Sequence, residues 1–348
     1  MNHHIPFARF AMFAALVLGA AAASAQANTT PRPIKVLVIA MFEPEAEPWI
    51  EPLKLIDKIT VPGLLPESPA LRCNADDVCL LTAGMGHANV AASTMAVALD
   101  PQLDLTRTWF LIAGIAGIDP AQGTIGTATW ARFLVDVGIA HEIDPREMPK
   151  RWKSGLFGIL TKGPGEKPKF DYHTEVARLD EALLQKALAL TRNAPLEDSA
   201  AAKAYRAKYK AAPANEPPKV IQCDTLGGDT WWHGKYLGQH ARDWTRLLTD
   251  GQATYCTTQQ EDNATYNALA RAAAAGKVDL QRVAVLRTAS NFDRPHSGQS
   301  AYDSLMRSTT GGTGGFVPAT RNLCKVGSLL VQDIVAHWAQ WREGVPAR

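Results

Sequence analysis

The chain has 348 residues, of which 46% are hydrophobic, and its formal net charge at pH 7 is +2. This length and composition supply enough apolar surface for one large core or two smaller ones. A nearly neutral chain lacks the basic excess that is typical of nucleic-acid-binding domains, so nucleic acid is not among the expected partners.

The first 25 residues have the layout of a secretory signal peptide. Arg9 precedes an apolar run over residues 10–23, and small residues lead to Ala25. This pattern predicts cleavage near Ala25 and export to the periplasm or the medium. A membrane anchor is the alternative, but the run is short for a span. We expect residues 26–348 to form a single domain.

Export bears on the five cysteines of the chain. Cys73 and Cys79 flank a turn-like segment between two strand-like pieces, which predicts a disulfide across a hairpin. The other three, Cys223, Cys256 and Cys324, leave an odd number, so at least one thiol is expected to be free and buried. No metal site is predicted, because no Cys-x-x-Cys pair or cluster of histidines accompanies them.

Apolar runs predict five buried strands, over residues 34–40, 79–83, 109–113, 129–138 and 283–286. Helical patterns cover residues 88–98, 180–210 with an interruption at Pro195, and 327–342. Strands that alternate with helices predict an α/β fold with a largely parallel sheet covered on both faces.

Carboxylates, amides or glycine turns are expected where four of these strands end. In chain order they are Glu43 and Glu45, Gly84 and Gly86, Gly114 and Gly117, and Asn291 and Asp293. Open α/β sheets bind ligands at the carboxyl ends of their strands. These residues are therefore expected to share one site.

A second signal is the segment Gln-Gln-Glu-Asp-Asn-Ala-Thr over residues 259–265, where polar residues open an alanine-rich helical pattern. Carboxylates and amides at such a position can take both hydroxyls of a ribose, and an Asn or Asp beyond the last strand can hold a purine edge. A nucleoside is the ligand that this combination favours. The glycine-rich run 311–315 lacks the Lys-Ser/Thr of a P-loop and is expected to be a structural loop.

Together these motifs resemble the nucleoside phosphorylase and nucleosidase superfamily over residues 34–340, and more narrowly the exported purine nucleoside permease family. Residues 260–265 are the most specific part of the match. The resemblance implies a three-layer nucleoside-phosphorylase-like fold with a central mixed, largely parallel sheet. It also implies binding of a purine nucleoside and cleavage of its N-glycosidic bond. The alternative is a non-catalytic periplasmic component that passes nucleosides to a membrane transporter.

The resemblance assigns catalytic roles to three residues. Glu45 matches the glutamate that positions or activates the attacking water. Asn291 stands where many bacterial relatives have the aspartate that protonates the purine N7, and Asp293 is the alternative acid. Without function, Glu45 would be a solvated acid at a helix start, and the other two would cap a turn.

The substrate-binding residues implied by the resemblance are Gly84, Gly86, Gly114, Trp231, Glu261, Asp262 and Asn263. The glycines match turns beside the ribose or phosphate, and the tryptophan matches an aromatic residue that stacks on the base. The last three match a Glu-Met-Glu motif that holds the ribose hydroxyls, with Asn in place of the second Glu. Tight packing, burial in the core and helix capping are the respective alternatives.

No cofactor or metal is expected, and the nucleophile is expected to be water. Phosphorylases of this group hold phosphate with arginines, and the matched positions here lie around Glu45 and at Ile112. An acidic residue there would repel phosphate. Inorganic phosphate stays an alternative co-substrate if Arg287 or Arg294 reaches the site. Because related enzymes form oligomers with sites at subunit interfaces, a homo-oligomer is also an expectation.

Overall fold

The computed structural model of the protein describes residues 30–347. The predicted signal peptide and its cleavage site lie outside this range. From Pro31 onward the chain clusters into one unit. Within the described residues, none of the helices combines the length and the apolarity that a membrane crossing requires.

Sixteen strands and nine α-helices occur between residues 30 and 347. The strands are β1 (Arg32–Pro33), β2 (Val36–Ala40), β3 (Asp57–Thr60), β4 (Ala70–Cys73), β5 (Val78–Thr82), β6 (Leu103–Asp104), β7 (Trp109–Ile118), β8 (Ala128–Trp130), β9 (Phe133–Asp136), β10 (His141–Glu142), β11 (Leu156–Phe157), β12 (Val176–Arg178), β13 (Val220–Gln222), β14 (Asp224–Gly227), β15 (Tyr255–Gln259) and β16 (Val283–Phe292). The helices are α1 (Glu43–Ile50), α2 (His87–Leu99), α3 (Glu181–Thr191), α4 (Ala200–Arg206), α5 (Lys235–Leu248), α6 (Asp262–Ala274), α7 (Ala301–Thr309), α8 (Phe316–Ala336) and α9 (Trp338–Trp341).

A twelve-stranded mixed sheet forms the centre of the molecule, with β12-β9-β14-β15-β7-β2-β5-β4-β3 along its main path. β2 pairs in parallel with both β5 and β7, and β16 runs parallel to β7. β16 also pairs with β8 in the antiparallel sense, and β8 carries β13. The predicted α/β fold with a central mixed sheet is confirmed.

Helices cover both faces of this sheet because its central strands are apolar throughout. All five residues of β2 are buried, and successive side chains point to opposite faces. Val38 belongs to a hydrophobic cluster that includes residues of α1, α3 and α8, whereas Ile39 belongs to one that includes α2 and α6. The fold therefore has three layers.

Two central strands extend beyond their predicted ends. The turn predicted at Gly114–Gly117 does not form, and β7 continues to Ile118. The reason is pairing, since β16 runs parallel to β7 up to Phe292 and supplies the ladder bonds that a short apolar run does not reveal. The register shifts between Ala289 and Asn291, which leaves Ser290 as the extra residue of a bulge.

The other predicted elements differ mainly at their boundaries. The strand predicted over 129–138 divides into β8 and β9, and the helical region 180–210 divides into α3 and α4. The helix predicted over 88–98 is α2. The closing helix is longer than predicted, because α8 begins at Phe316 and ends at Ala336, followed by α9.

The cysteines pair as follows. A disulfide joins Cys73 to Cys79, as predicted, across the antiparallel β4–β5 pair. A second joins Cys223, at the start of β14, to Cys256 in β15. Cys324 is a buried free thiol, so the expectation of an unpaired buried cysteine is also confirmed.

We expect the Cys223–Cys256 disulfide to stabilise the fold more than the Cys73–Cys79 disulfide. The two bonds span 33 and 6 residues, and a longer loop loses more entropy in the unfolded chain when it is closed. The double Cys→Ala variants should lose about 4 and about 2 kcal/mol of unfolding free energy, respectively. Denaturant unfolding monitored by circular dichroism measures both values. An equal or reversed order would contradict the loop-length argument.

Candidate functional site

A cavity of about 470 Å³ lies at the carboxyl ends of the central parallel strands. This volume is within the range of small-molecule sites. The wall is built from the ends of β2, β7, β15 and β16, the loop before α5, and the segment that joins α7 to α8. The lining residues are Met41, Phe42, Glu45, Met85, Ile115, Ala116, Gly117, Thr230, Trp231, Thr258, Gln259, Gln260, Glu261, Arg287, Ser290, Asn291, Ser308, Thr309, Thr310, Gly311 and Phe316.

Glu45 is a buried carboxylate in the wall of this cavity, with 1% of its surface exposed. It lies in the first turn of α1, whose preceding residue offers no side-chain cap. Its Oε2 accepts a hydrogen bond from the Met41 amide at 2.8 Å, and its Oε1 accepts one from the Ile115 amide at 2.6 Å. Burial raises the pKa of Glu45 to about 7, although the Arg287 charge and the two amides oppose the rise.

Arg287 is a buried cation surrounded by carboxylates. Its Nη2 lies 2.6 Å from Asp262 Oδ1 and 3.1 Å from Glu261 Oε2, and its Nη1 donates to the Ile115 carbonyl at 2.9 Å. Burial disfavours the charge, yet the Asp262 and Glu261 carboxylates raise the pKa of Arg287 above its ordinary value. The guanidinium is therefore committed to internal partners.

Gly114 is required where Arg287 and Glu45 meet. A Cβ atom at this position would overlap the Arg287 guanidinium and would lie 3.1 Å from Glu45 Oε1. The glycine thus supports the site by leaving room for its charged groups, and it does so from inside a strand.

Glu261 is held where α6 begins, of which it is the N-terminal cap residue. Its Oε1 accepts a hydrogen bond from the Gly86 amide at 3.3 Å, and its Oε2 accepts one from the Gln260 amide at 3.2 Å. The amides of Glu261 and Asp262 are in turn capped by the Gln259 side-chain oxygen, at 2.7 and 2.8 Å. The carboxylate keeps acceptor capacity for a ligand hydroxyl.

A neutral amide occupies the wall at the bulge of β16. The Ser290 hydroxyl donates to Asn291 Oδ1 at 2.9 Å, and Asn291 Nδ2 donates to the Phe292 carbonyl at 2.9 Å. Asn291 is buried and keeps one N–H and one oxygen lone pair for a ligand. This part of the wall can donate or accept a hydrogen bond but carries no acid.

The structure brings four of the predicted site residues together in the cavity wall. Glu45, Trp231, Glu261 and Asn291 all line the cavity, and Trp231 keeps 46% of its surface exposed there. The remaining predicted glycines support the turn before α2. Gly86 donates its amide to Glu261, and Gly84 has a positive φ of 93° and no room for a Cβ atom beside Asn89.

Besides the three glycines, three predicted polar residues lie outside the cavity wall. The Asp262 carboxylate is fully buried against Arg287, and Asn263 Nδ2 donates to the Thr174 carbonyl at 3.3 Å. Consecutive helical residues project about 100° apart, so the three residues of the predicted ribose motif cannot share one wall. Asp293 follows the end of β16 and is bound by Tyr255 and Arg294 instead of facing the cavity.

Several wall residues were not predicted from the sequence. Gln259 ends β15, and it lines the cavity together with Glu261, whereas Asn263 does not. Thr258 and Gln260 line the cavity as well, so the alternation of a strand does not single out Gln259. Phe42, Phe316 and the hydroxyl residues 308–310 also left no sequence signal, because they come from segments far apart in the chain.

Known proteins are similar to this chain over most of its length. The model of the purine nucleoside permease family matches residues 33–346. A probable purine nucleoside permease from Schizosaccharomyces pombe is 38% identical over 320 residues, which cover 88% of this chain and 90% of that protein. A purine nucleoside permease from Candida albicans is 36% identical over 309 residues, covering 87% of this chain and 75% of that protein.

Solved structures share the fold at low identity. Futalosine hydrolase from Helicobacter pylori superimposes with a TM-score of 0.53 at 12% identity, covering 86% of this chain and 98% of that one. A 5'-methylthioadenosine/S-adenosylhomocysteine nucleosidase from Neisseria meningitidis gives a TM-score of 0.52 at 15% identity, covering 86% and 99%. These likenesses confirm the predicted nucleoside-phosphorylase-like fold.

Replacement of Arg287 by Met should strongly destabilise the protein. The change leaves Glu261, Asp262 and Glu45 as buried acids without their shared counter-charge, which typically costs about 3–5 kcal/mol. Arg271→Met in the same helix as Asp262 is the control, because Arg271 is exposed. Denaturant unfolding at pH 7 measures both variants. If Arg287→Met loses no more unfolding free energy than Arg271→Met, Arg287 is not the counter-charge that these three acids require.

The elevated pKa of Glu45 should make the unfolding free energy fall as pH rises from about 4.5 to about 7. The unfolded chain loses the proton near the ordinary value of 4.5, whereas the folded chain keeps it until about 7, so each step upward favours unfolding. The total effect is up to about 3 kcal/mol. Glu45→Gln should remove this part of the slope.

One control and one residual effect belong to this measurement of the unfolding free energy against pH. Glu43→Gln, two residues away and exposed, should leave the slope unchanged. Asp293, whose pKa burial raises to about 6, should leave a residual slope below that pH in every variant. Equal slopes for the wild type and Glu45→Gln would contradict an elevated pKa at Glu45.

Proposed function

The chain belongs to the purine nucleoside permease family, and we propose that its cavity binds a purine nucleoside and cleaves the N-glycosidic bond with water. The observation that carries the proposal is Glu45. Its carboxylate lies in the wall of a ligand-sized cavity, and burial raises its pKa to about 7. A group that titrates near neutral pH can both accept and release a proton there.

The wall offers a place for each part of a nucleoside. Glu261 can accept hydrogen bonds from the ribose hydroxyls, since its Oε1 is otherwise bound only by the Gly86 amide. Trp231 presents an indole face to the base. Asn291 can donate its free N–H to a ring nitrogen of the purine, which stabilises the electron pair that develops there without transferring a proton.

The proposed reaction is hydrolysis. Ionised Glu45 takes a proton from water as the water oxygen attacks the anomeric carbon of the ribose. The C–N bond breaks, its electron pair leaves with the purine, and the purine is protonated from solvent. The products are free base and free ribose. Glu45 then releases its proton to solvent and returns to the ionised form.

Water suits this cavity better than phosphate as the nucleophile. Arg287 is the cation of the wall, and it already faces Glu261, Asp262 and Glu45. A phosphate ion would meet an excess of negative charge at short range, which is unfavourable in a buried site. Phosphorolysis is therefore the less favoured route.

A second candidate function is nucleoside binding without cleavage, as a component that delivers nucleosides to a membrane transporter. The observation that favours it is Asn291, because an amide, which has no acidic proton for the leaving base, occupies the part of the wall at the bulge of β16. For either function we propose export to the periplasm or the medium, on the basis of the first 25 residues.

The two candidates are separated by incubating the purified protein with inosine, guanosine and adenosine, with and without inorganic phosphate. Chromatography should detect free base and ribose in both conditions. Glu45→Gln should lower turnover at least about 100-fold, because general bases contribute about 10²–10⁴-fold, whereas the exposed Glu43→Gln should retain it. Calorimetry should show nucleoside binding by the wild type and by both variants.

Two other results would reject cleavage by water, and a third would reject the role of Glu45. Base release that requires phosphate would establish phosphorolysis, and binding without any base release would establish the second candidate. Activity that survives Glu45→Gln would remove that residue from the mechanism. If hydrolysis occurs, kcat/KM should rise with pH through about 7 as Glu45 ionises.

A further inference from the structure

Asp293 belongs to a buried network of charges that does not touch the cavity. Its Oδ1 lies 2.6 Å from Arg294 Nε, and its Oδ2 lies 2.9 Å from Arg294 Nη2 and 2.8 Å from the Tyr255 hydroxyl. Arg294 Nη2 also lies 2.8 Å from Asp119 Oδ2, which receives Arg242 Nη1 at 2.8 Å. The Asp293 and Asp119 side chains have no exposed surface.

The backbone of Asp293 connects this network to two parts of the cavity. Its amide donates to the Ile118 carbonyl at 2.9 Å, at the end of the strand that carries Gly117. Its carbonyl accepts from the Gly234 amide at 2.8 Å. Gly234 ends the segment 228–234, here called the aromatic loop, which carries Trp231 into the cavity wall.

Side chains of the network also contact β15 and α5, two further elements next to the cavity. Tyr255 begins β15, the strand that ends at Gln259 in the wall, and Arg242 lies on α5, which follows the aromatic loop directly. Arg294 also packs against Gly238 of α5, where a Cβ atom would lie 2.8 Å from Nη2. Asp293, through its backbone and its carboxylate together, therefore joins the termini of three strands and the base of the aromatic loop.

From this arrangement we infer that Asp293 is a positioning residue, which fixes Asn291 and Trp231 relative to each other across the cavity. Asn291 has little freedom of its own, because its Oδ1 accepts a hydrogen bond from the Ser290 hydroxyl and its Nδ2 donates one to the Phe292 carbonyl, both at 2.9 Å. Its location is set by the backbone of residues 290–293. The Asp293 network holds that backbone on one side and the aromatic loop on the other.

Energetics also favour positioning over stabilisation. Buried ion pairs gain little net free energy over apolar side chains of the same volume, because two charges must be desolvated. They do impose one geometry, since bidentate contacts between arginine and carboxylate fail when the groups shift. A displacement of about 1 Å at a reacting group can lower a rate about 100-fold. The network therefore acts on the site through geometry.

The first test observes the aromatic loop without a ligand and does not depend on the proposed function. The nine tryptophans are replaced by 5-fluorotryptophan, and the ¹⁹F resonance of Trp231 is assigned with Trp231→Phe. Asp293→Asn should shift or broaden this resonance. Tyr255→Phe, which keeps the charges and removes one hydrogen bond, should cause a smaller change in the same resonance.

A matched control distinguishes positioning from a general loss of stability. Asp198 and Arg206 form another bidentate buried pair, at 2.6 and 2.7 Å, and neither lines the cavity. Asp198→Asn should leave the Trp231 resonance in place even where it lowers the unfolding free energy. An unchanged Trp231 resonance in both Asp293→Asn and Tyr255→Phe would overturn the inference.

The second test is kinetic and rests on the proposed function. Asp293→Asn should lower kcat/KM for nucleoside cleavage at least about tenfold, with kcat reduced through Asn291 and KM raised through Trp231. Asp198→Asn should change kcat/KM less than about threefold. Absence of cleavage in the wild type would reject the proposed function alone, because the ¹⁹F measurement on the ligand-free protein still decides the inference.

Discussion

The site depends on one interaction, the contact of the buried Arg287 guanidinium with the Asp262 and Glu261 carboxylates. A cation at this depth is stable only with close counter-charges, and their number determines what else the cavity can hold. Glu45 interacts with the same guanidinium charge as a third acid. The Arg287 charge is therefore already neutralised by carboxylates of the protein, and an anion that enters the cavity finds no free cation in the wall.

The backbone around this interaction is adapted to it. Gly114 leaves the space that the guanidinium occupies, although it lies inside a long central strand. The Ile115 amide and carbonyl bind Glu45 and Arg287 respectively, so one peptide segment holds both charges. The sheet thus does more than carry the site residues at its edge. It supplies the donors and acceptors that orient both charged groups, and its amides lower the pKa of Glu45 against the larger effect of burial.

Membership of the family and the fold restrict the function without deciding it. The family match covers nearly the whole described chain, and the structural neighbours are hydrolase and nucleosidase folds at low identity. What separates cleavage from binding is local chemistry, namely a carboxylate of elevated pKa at one part of the wall and a neutral amide at another. The Asp293 network, which lies behind the wall, holds this amide in register with Trp231.

By itself the sequence determined the α/β class, the first disulfide and the meeting of Glu45 and Asn291, because apolar period and strand-end position are local signals. The resemblance to the superfamily added Trp231 and Glu261 to that site. Only the tertiary structure decided which acids face the cavity. Asp262 turns to Arg287 and Asp293 to Tyr255, and both partners come from other segments of the chain. The protonation of Glu45 likewise follows from burial between strands, which no short stretch of sequence encodes.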